Sequence, residues 1–297
     1  MQIRKLSNDD AYAVEAFLMS RAFSSMFLLS NMDKAGLEYT GEAFSGEYWA
    51  AYDKANEIQG VFAHFWNGNL MAQAPDPEAR QALTTHFLAN AERPLAGVLG
   101  DSEQARPILN TLNLPDHAFN TNRSEGLYQL ELDKLHLPEG ASSARFKLIS
   151  AAEAQKSLLS SWLKDHELEA LGAEPTQKHE EHIRTRVKQM QAGHSAWVLL
   201  DEGQPVSLSG FNATLPEIVQ VGPVWTPPEH RSQGYARTIV ALTLQAAKER
   251  GVQKSVLFTD NAAAVKAYEA IGYQQNGCFH LALLKEPWDL KNKMALA

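Results

Sequence analysis

A single cysteine, Cys278, stands in the whole chain. No intrachain disulfide can form, and a cysteine-based zinc site within the chain is excluded. Long apolar runs are also missing. AFSSMFLLS (Ala22–Ser30) falls far short of the ~20 residues that cross a bilayer. The segment Met1–Asp10 lacks the apolar centre of a secretory leader. Basic clusters are absent too: 27 Lys and Arg face 35 Asp and Glu, for a net charge of −8. Binding a nucleic-acid backbone depends on concentrated positive charge, so neither nucleic acid nor membrane is expected as a partner. What is present is an ordinary globular composition, 44% hydrophobic and 21% charged. The expectation is a soluble cytoplasmic protein, and 297 residues suit two domains of about 100–200 each.

The chain repeats itself at an offset of about 148 residues. Gln2–Ser20 resembles Arg145–Leu163 as a short strand followed by a Ser-led amphipathic helix. Trp49 and Trp197 sit at equivalent places in two strand–turn–strand patterns. Pro94–Leu114 parallels Lys254–Tyr273, and GLYQLELDKL (Gly126–Leu135) parallels CFHLALLKEP (Cys278–Pro287). Four matches in one order point to duplication. The join falls where Pro, Gly and Ser suit a linker. The expected division is 1–136, a linker at 137–144, and 145–297. Each half reads as mixed α/β, a largely antiparallel sheet with flanking helices.

In the second half, EIVQVGPVW (Glu217–Trp225) reads as a strand broken by Gly222–Pro223, where a bulge or splay is expected. TPPEHRSQGYAR (Thr226–Arg237) turns from that strand into a helix running from about Gly234 to Arg250. The free N–H groups and positive dipole of a helix start suit a phosphate. Gly234 lets the backbone approach an anion, Ala236 keeps the next turn small, and Arg231 and Arg237 add charge. A plain strand–helix turn has the same local pattern, and lacks any need of a ligand. Downstream, SVLFT (Ser255–Thr259) is a strand and DNAAAVKAYEAIGY a short helix ending at Gly272. Asn261 there is also a good helix cap, and Tyr268 a rim residue of a core.

Taken together, these motifs resemble the GNAT superfamily of acetyl-CoA-dependent N-acetyltransferases. The family's loop, Gln/Arg-x-x-Gly-x-Gly/Ala, is matched by Arg231, Gly234 and Ala236. Its next element, Asn-x-x-Ala-x-x-x-Tyr-x-x-x-Gly-Phe, is matched by Asn261, Ala264, Tyr268 and Gly272, with Tyr273 in place of Phe. The close likeness covers about Pro216–Lys285. It implies two tandem GNAT-like domains and acetyl-CoA as co-substrate, with no metal. Val224, Trp225 and Thr226 would pair with the pantetheine arm and orient the acetyl carbonyl. The amides of Arg231, Ser232, Gln233, Gly234, Tyr235, Ala236 and Arg237 would hold the pyrophosphate, and Asn261 the pantetheine. Tyr268 would give a proton to the departing thiolate.

The implied reaction is direct attack of a primary amine, of a small molecule or peptide, in a monomer or homodimer. Alternatives are transfer of a longer acyl group, acylation of a protein N-terminus or lysine, and a non-catalytic acyl-CoA-binding or regulatory module. No base is explicit. Glu217, on the strand leading to the splay, is the first candidate, while His280 and Cys278 read as structural. KHEEHIRTR (Lys178–Arg186) falls one position short of His-Glu-x-x-His and reads as a solvated helix face without a metal.

The first half has lost the pattern. Ala74–Leu88 contains no glycine, and Ser102, Leu109 and Asn113 stand where Asn261, Tyr268 and Gly272 would. A degenerate domain is expected there, packed on the active one.

Overall fold

A computed structural model describes residues 1–193 and 195–293. The chain forms two compact units, Met1–Leu127 with Gly277–Ala297, and Tyr128–Asn276. Both are mixed α/β, mostly antiparallel sheets with flanking helices.

The first unit contains β1 (Gln2–Lys5), α1 (Ala11–Met19), α2 (Ala22–Ala35), β2 (Gly46–Tyr52), β3 (Ile58–Phe65) and β4 (Asn69–Gln73). It continues through α3 (Pro77–Asn90), β5 (Leu95–Asp101), α4 (Ser102–Leu112) and the start of β6 (Phe119–Glu131). The second contains the end of β6, β7 (Phe146–Ser150), α5 (Lys156–Leu171), α6 (Gln177–Gly193), β8 (Ala196–Asp201) and β9 (Gln204–Thr214). It closes with β10 (Ile218–Trp225), α7 (Tyr235–Lys248), β11 (Lys254–Thr259) and α8 (Ala262–Glu269). The last strand, β12 (Gln274–Trp288), returns from Gly277 onward to the first unit.

The division therefore differs from a cut at 137–144. The closing strand of the second repeat pairs antiparallel with β5 of the first unit, from Phe279↔Asp101 to Trp288↔Leu95. The closing strand of the first repeat ends beside β11, where Glu131 reaches Lys254 at 3.3 Å and the Leu132 N–H donates to Gln253 O at 2.7 Å. A strand's alternating pattern fixes which face is buried but not which edge it joins. The two closing strands were recognisable as counterparts, and each lies with the other's sheet.

In the second unit the sheet order is β6–β11–β10–β9–β8–β7. One face packs on α7 and α8 through Val219, Val221, Ile239, Val240, Leu244, Leu257 and Ile271. The spacing of Ile239, Val240, Thr243, Leu244 and Ala247 puts one stripe of α7 in that core, with all five buried. The other face packs on α5 and α6 through Leu159, Trp162, Leu163, Ile183, Val187 and Leu208. Fully burying each Leu or Ile contributes about 1.5–3 kcal/mol.

Candidate active site

The expected splay is present. β10 runs parallel to β11 over Ile218↔Lys254, Val219↔Ser255 and Gln220↔Val256. That pairing ends at Gln220, while β10 stays paired with β9 up to Trp225↔Leu208. The register with β9 shifts between Gln220 and Val221 and again before Val224, and the Gly222–Pro223 peptide is cis. Gly222 fits only because it has no side chain: an added Cβ would lie 2.5 Å from Asn212 Nδ2. From Val221 to Trp225 the strand thus turns an edge away from β11, which exposes backbone groups to another partner.

The loop after β10 aims at the same end. A short 3-10 turn, Pro228–His230, leads to Ser232 at φ +62° and Gly234 at φ +83°. Left-handed residues at such places turn backbone N–H groups toward a common point. Gly234 caps α7 without any side-chain hydrogen bond, so the helix start keeps its donors. The Tyr235 side chain is tied down instead: its hydroxyl donates to Asp201 Oδ2, which also takes a 2.7 Å bond from Arg145 Nη2. The Arg145 bond, joined by that of Tyr235, holds the Asp201 carboxyl down at about 2. Tyr235 therefore anchors α7 and offers only its backbone amide to a ligand.

The two arginines differ. Arg237 folds over Gly234, where an added Cβ would lie 3.2 Å from its Nε. Arg231 points elsewhere: its guanidinium bonds Glu169 at 2.8 Å and Thr226 O at 3.0 Å, and stacks 4.9 Å from the Trp225 ring. Its side chain braces the end of β10 rather than the loop. Asn261 is the N-cap of α8, its Oδ1 accepting from Ala263 and Ala264 at 2.9 and 3.0 Å. Only its amide nitrogen remains for a ligand.

Tyr268, on α8, is 6% exposed. Its ring packs edge-on to Tyr273 at 6.0 Å. Burial pushes the phenol well above its ordinary range, which keeps the proton on the oxygen at neutral pH.

Glu217 was the candidate base. It lies exposed in the turn before β10, and its carbonyl accepts from Gln253 and Lys254. At ~3.3 Å per residue, about 25 Å of strand separates it from Trp225, too far to take a proton there. His280 belongs to the first unit. It sits on β12 with both ring nitrogens engaged, by Ser124 Oγ and Asn122 Oδ1 at 2.9 Å each.

KHEEHIRTR also departs from expectation. His179, His182 and Arg186, spaced three and four apart, share one face of α6 and converge on Glu167 of α5. The distances are 3.0, 3.5 and 2.6 Å. Glu180 and Arg184 remain solvated. Arg186 Nη2 continues to Asn212 Oδ1 at 2.9 Å, linking the cluster to the bulge at Gly222. Burial alone would raise the Glu167 carboxyl, but the bonds and charges of His182 and Arg186 outweigh it and bring it to about 2. Among the described residues no group of three or more His, Cys, Asp or Glu is set to hold a metal ion. None of their helices is long and apolar enough to cross a membrane.

Among the described residues of the first unit the corresponding segments differ. β4 stays paired with β5 over Asn69↔Gly97 to Ala72↔Gly100, and β4 ends one residue later. The helix that follows, α3, is capped by Asp76, whose carboxylate accepts from Ala79 N at 2.8 Å. A carboxylate already sits at that positive helix end, and Pro77 contributes no N–H to it.

Comparison with known proteins places the chain among similar ones. Residues 158–273 match the family model described as the acetyltransferase (GNAT) family. A curated relative, N-acetyltransferase family 8 member 2 of Rattus norvegicus, is 30% identical over 106 residues, covering 32% of this chain and 46% of the relative. The chain thus spans less than half the length of that relative. Solved structures match nearly the whole chain. A Drosophila protein from a structural genomics consortium gives a TM-score of 0.64 at 10% identity over 95% of this chain and 98% of its own. The GCN5-related N-acetyltransferase of Sphaerobacter thermophilus gives 0.56 at 14% over 95% and 94%. A tandem GNAT protein from the clavulanic acid biosynthesis pathway gives 0.52 at 12% over 97% and 99%. At such identities the structures establish the fold alone. The chain has a tandem GNAT fold, and its residues 158–273 match the acetyltransferase (GNAT) family model.

Proposed function

We propose that the second unit transfers an acetyl group from acetyl-CoA to a primary amine, and that the first unit has no acyl-transfer site. The observation that carries this reading is the coincidence of two openings: β10 parts from β11 after Gln220 just where α7 begins on an uncapped, left-handed Gly234. The backbone of Val224, Trp225 and Thr226 would align the pantetheine arm and thioester carbonyl. The amides of Ser232–Arg237 would hold the pyrophosphate, with Arg237 supplying charge, and Asn261 Nδ2 would meet the pantetheine. Tyr268 keeps its proton at neutral pH and would give it to the sulfur as the C–S bond breaks. A small-molecule or peptide amine fits equally well, and the net charge of −8 favours a cationic acceptor by steering.

The test is release of free thiol from acetyl-CoA with a panel of primary amines, each product identified by its mass. Amine-dependent release with an N-acetylated product is expected. Tight acetyl-CoA binding with no release for any amine would support a non-catalytic acyl-CoA-binding module instead.

A further inference from the structure

We infer that the acceptor amine binds on the α5-facing side of β10 and that His166 receives its proton, a step that rests on the acetyl-transfer reading. With Glu217 removed from the site, a base is missing. The described residues seal seven side-chain polar atoms without a partner, and three of them belong to this face: His166 Nδ1, Gln220 Oε1 and Trp225 Nε1. Trp225 is the last residue of β10, beside the proposed thioester position, and packs in the α5–α6 core. The His166 ring meets it edge-on at 6.2 Å. Gln220 alternates with Val219 and Val221, which face α7, so it faces the same side as Trp225. Gln220 and Trp225 are 3% and 6% exposed. Buried polar groups are nearly always bonded, and unpaired ones call for a partner. Indole N–H only donates and an amide oxygen only accepts. Gln220 lies about 16 Å along β10 from Trp225, too far to share a small ligand with it. The complementary ligand brings an N–H for His166 and an oxygen for Trp225, as an amine attacking a carbonyl does.

His166 suits a proton relay. Its Nδ1 is sealed, whereas its Nε2 is not. The charged groups around it are Arg186 from α6, Arg231 on the other side of Trp225, and Glu167 and Glu169 on its own helix. Burial and then the Arg186 charge, against Glu167 and Glu169, hold it at about 4, so the imidazole is neutral at pH 7. In the step itself the amine nitrogen bonds to the thioester carbon and the C–S bond breaks. The amine proton passes to Nδ1, Tyr268 protonates the thiolate and regains a proton from solvent, and His166 sheds one from Nε2 to solvent.

The test uses the full-length protein and the variants His166→Asn and His166→Gln. Acetyl-CoA affinity is measured by calorimetry, and thiol release with ethylamine, glycinamide and lysine amide from pH 5 to 10. Acetyl-CoA affinity within twofold of wild type in both variants is expected, with kcat/KM for the acceptor about 10²–10⁴-fold lower. The ratio of variant to wild-type rate should rise toward pH 10 as hydroxide takes over the amine proton, whereas lost packing alone would lower the rate by the same factor at every pH. Wild-type rates and an unchanged pH profile in either variant would overturn the role of His166 and leave acetyl transfer standing. A wild-type protein that binds acetyl-CoA but acetylates none of the three amines also counts against it. A wild-type protein that does not bind acetyl-CoA refutes the acetyl-transfer reading first.

Discussion

Replacing Gly234 by valine probes the loop on which cofactor binding depends. Gly234 holds φ +83°, a region that disfavours any residue with a Cβ and most of all a branched one. Strain of this kind is about 1–3 kcal/mol. The new Cβ would also sit 3.2 Å from Arg237 Nε, displacing the guanidinium. Ser232 and Gln233 are exposed and Gly234 half-buried, so nothing packs the loop firmly enough to enforce the strained angle. We expect the loop to relax to negative φ, leaving global stability nearly unchanged and moving the strain into binding. At 1.4 kcal/mol per factor of ten, ~1–3 kcal/mol weakens acetyl-CoA affinity about 5–150-fold, before any loss of the Arg237 contact. Calorimetry of acetyl-CoA binding, with urea unfolding as the companion measurement, reads both quantities. A Gly234→Val protein that binds acetyl-CoA within twofold of wild type would refute the reasoning.

Tyr268→Phe should lower kcat by about 10–10³-fold while acetyl-CoA affinity changes less than threefold, because only the proton donor is lost. Since burial raises the Tyr268 phenol, the wild-type rate should show no alkaline decline from this group below about pH 10. Tyr235→Phe removes the bond to the Asp201 carboxylate and should destabilise the second unit by about 1.5–3 kcal/mol, the range for a hydrogen bond to a charged group, read by urea unfolding. Glu167 has a folded value of about 2, below its unfolded value, so its contribution to stability is full above about pH 5 and fades as pH falls toward 2. Glu167→Gln should flatten that acid dependence in unfolding curves taken across this window.

The parts of the site carried by one continuous stretch were readable in the sequence. Gly222–Pro223 announced the break in β10, Gly234 the left-handed helix start, and Asn261 the cap of α8, because each acts through its own local backbone. Contacts between separate elements were not readable. His179, His182 and Arg186 look like a solvated stripe until α5 brings Glu167 to them, although their shared face with buried Ile183 and Val187 was a signal. His166 was passed over although it lies four residues from buried Trp162, on the same side of α5. Glu217 failed for the opposite reason. Its nearness in sequence to the start of the splay hid the length of strand between it and Trp225. The exchange of β6 and β12 between the units had no local signature, since alternation is indifferent to which edge a strand joins.

One measurement tests most directly the claim that one half of this tandem protein works and the other does not: the stoichiometry of acetyl-CoA binding to the full-length chain by calorimetry. The loop at Gly234 and the splay of β10 predict one molecule per chain, lost or strongly weakened in Gly234→Val. The Asp76-capped α3 and the closed β4–β5 pair predict no second site. Two molecules per chain, or one that Gly234→Val leaves untouched, would contradict the account.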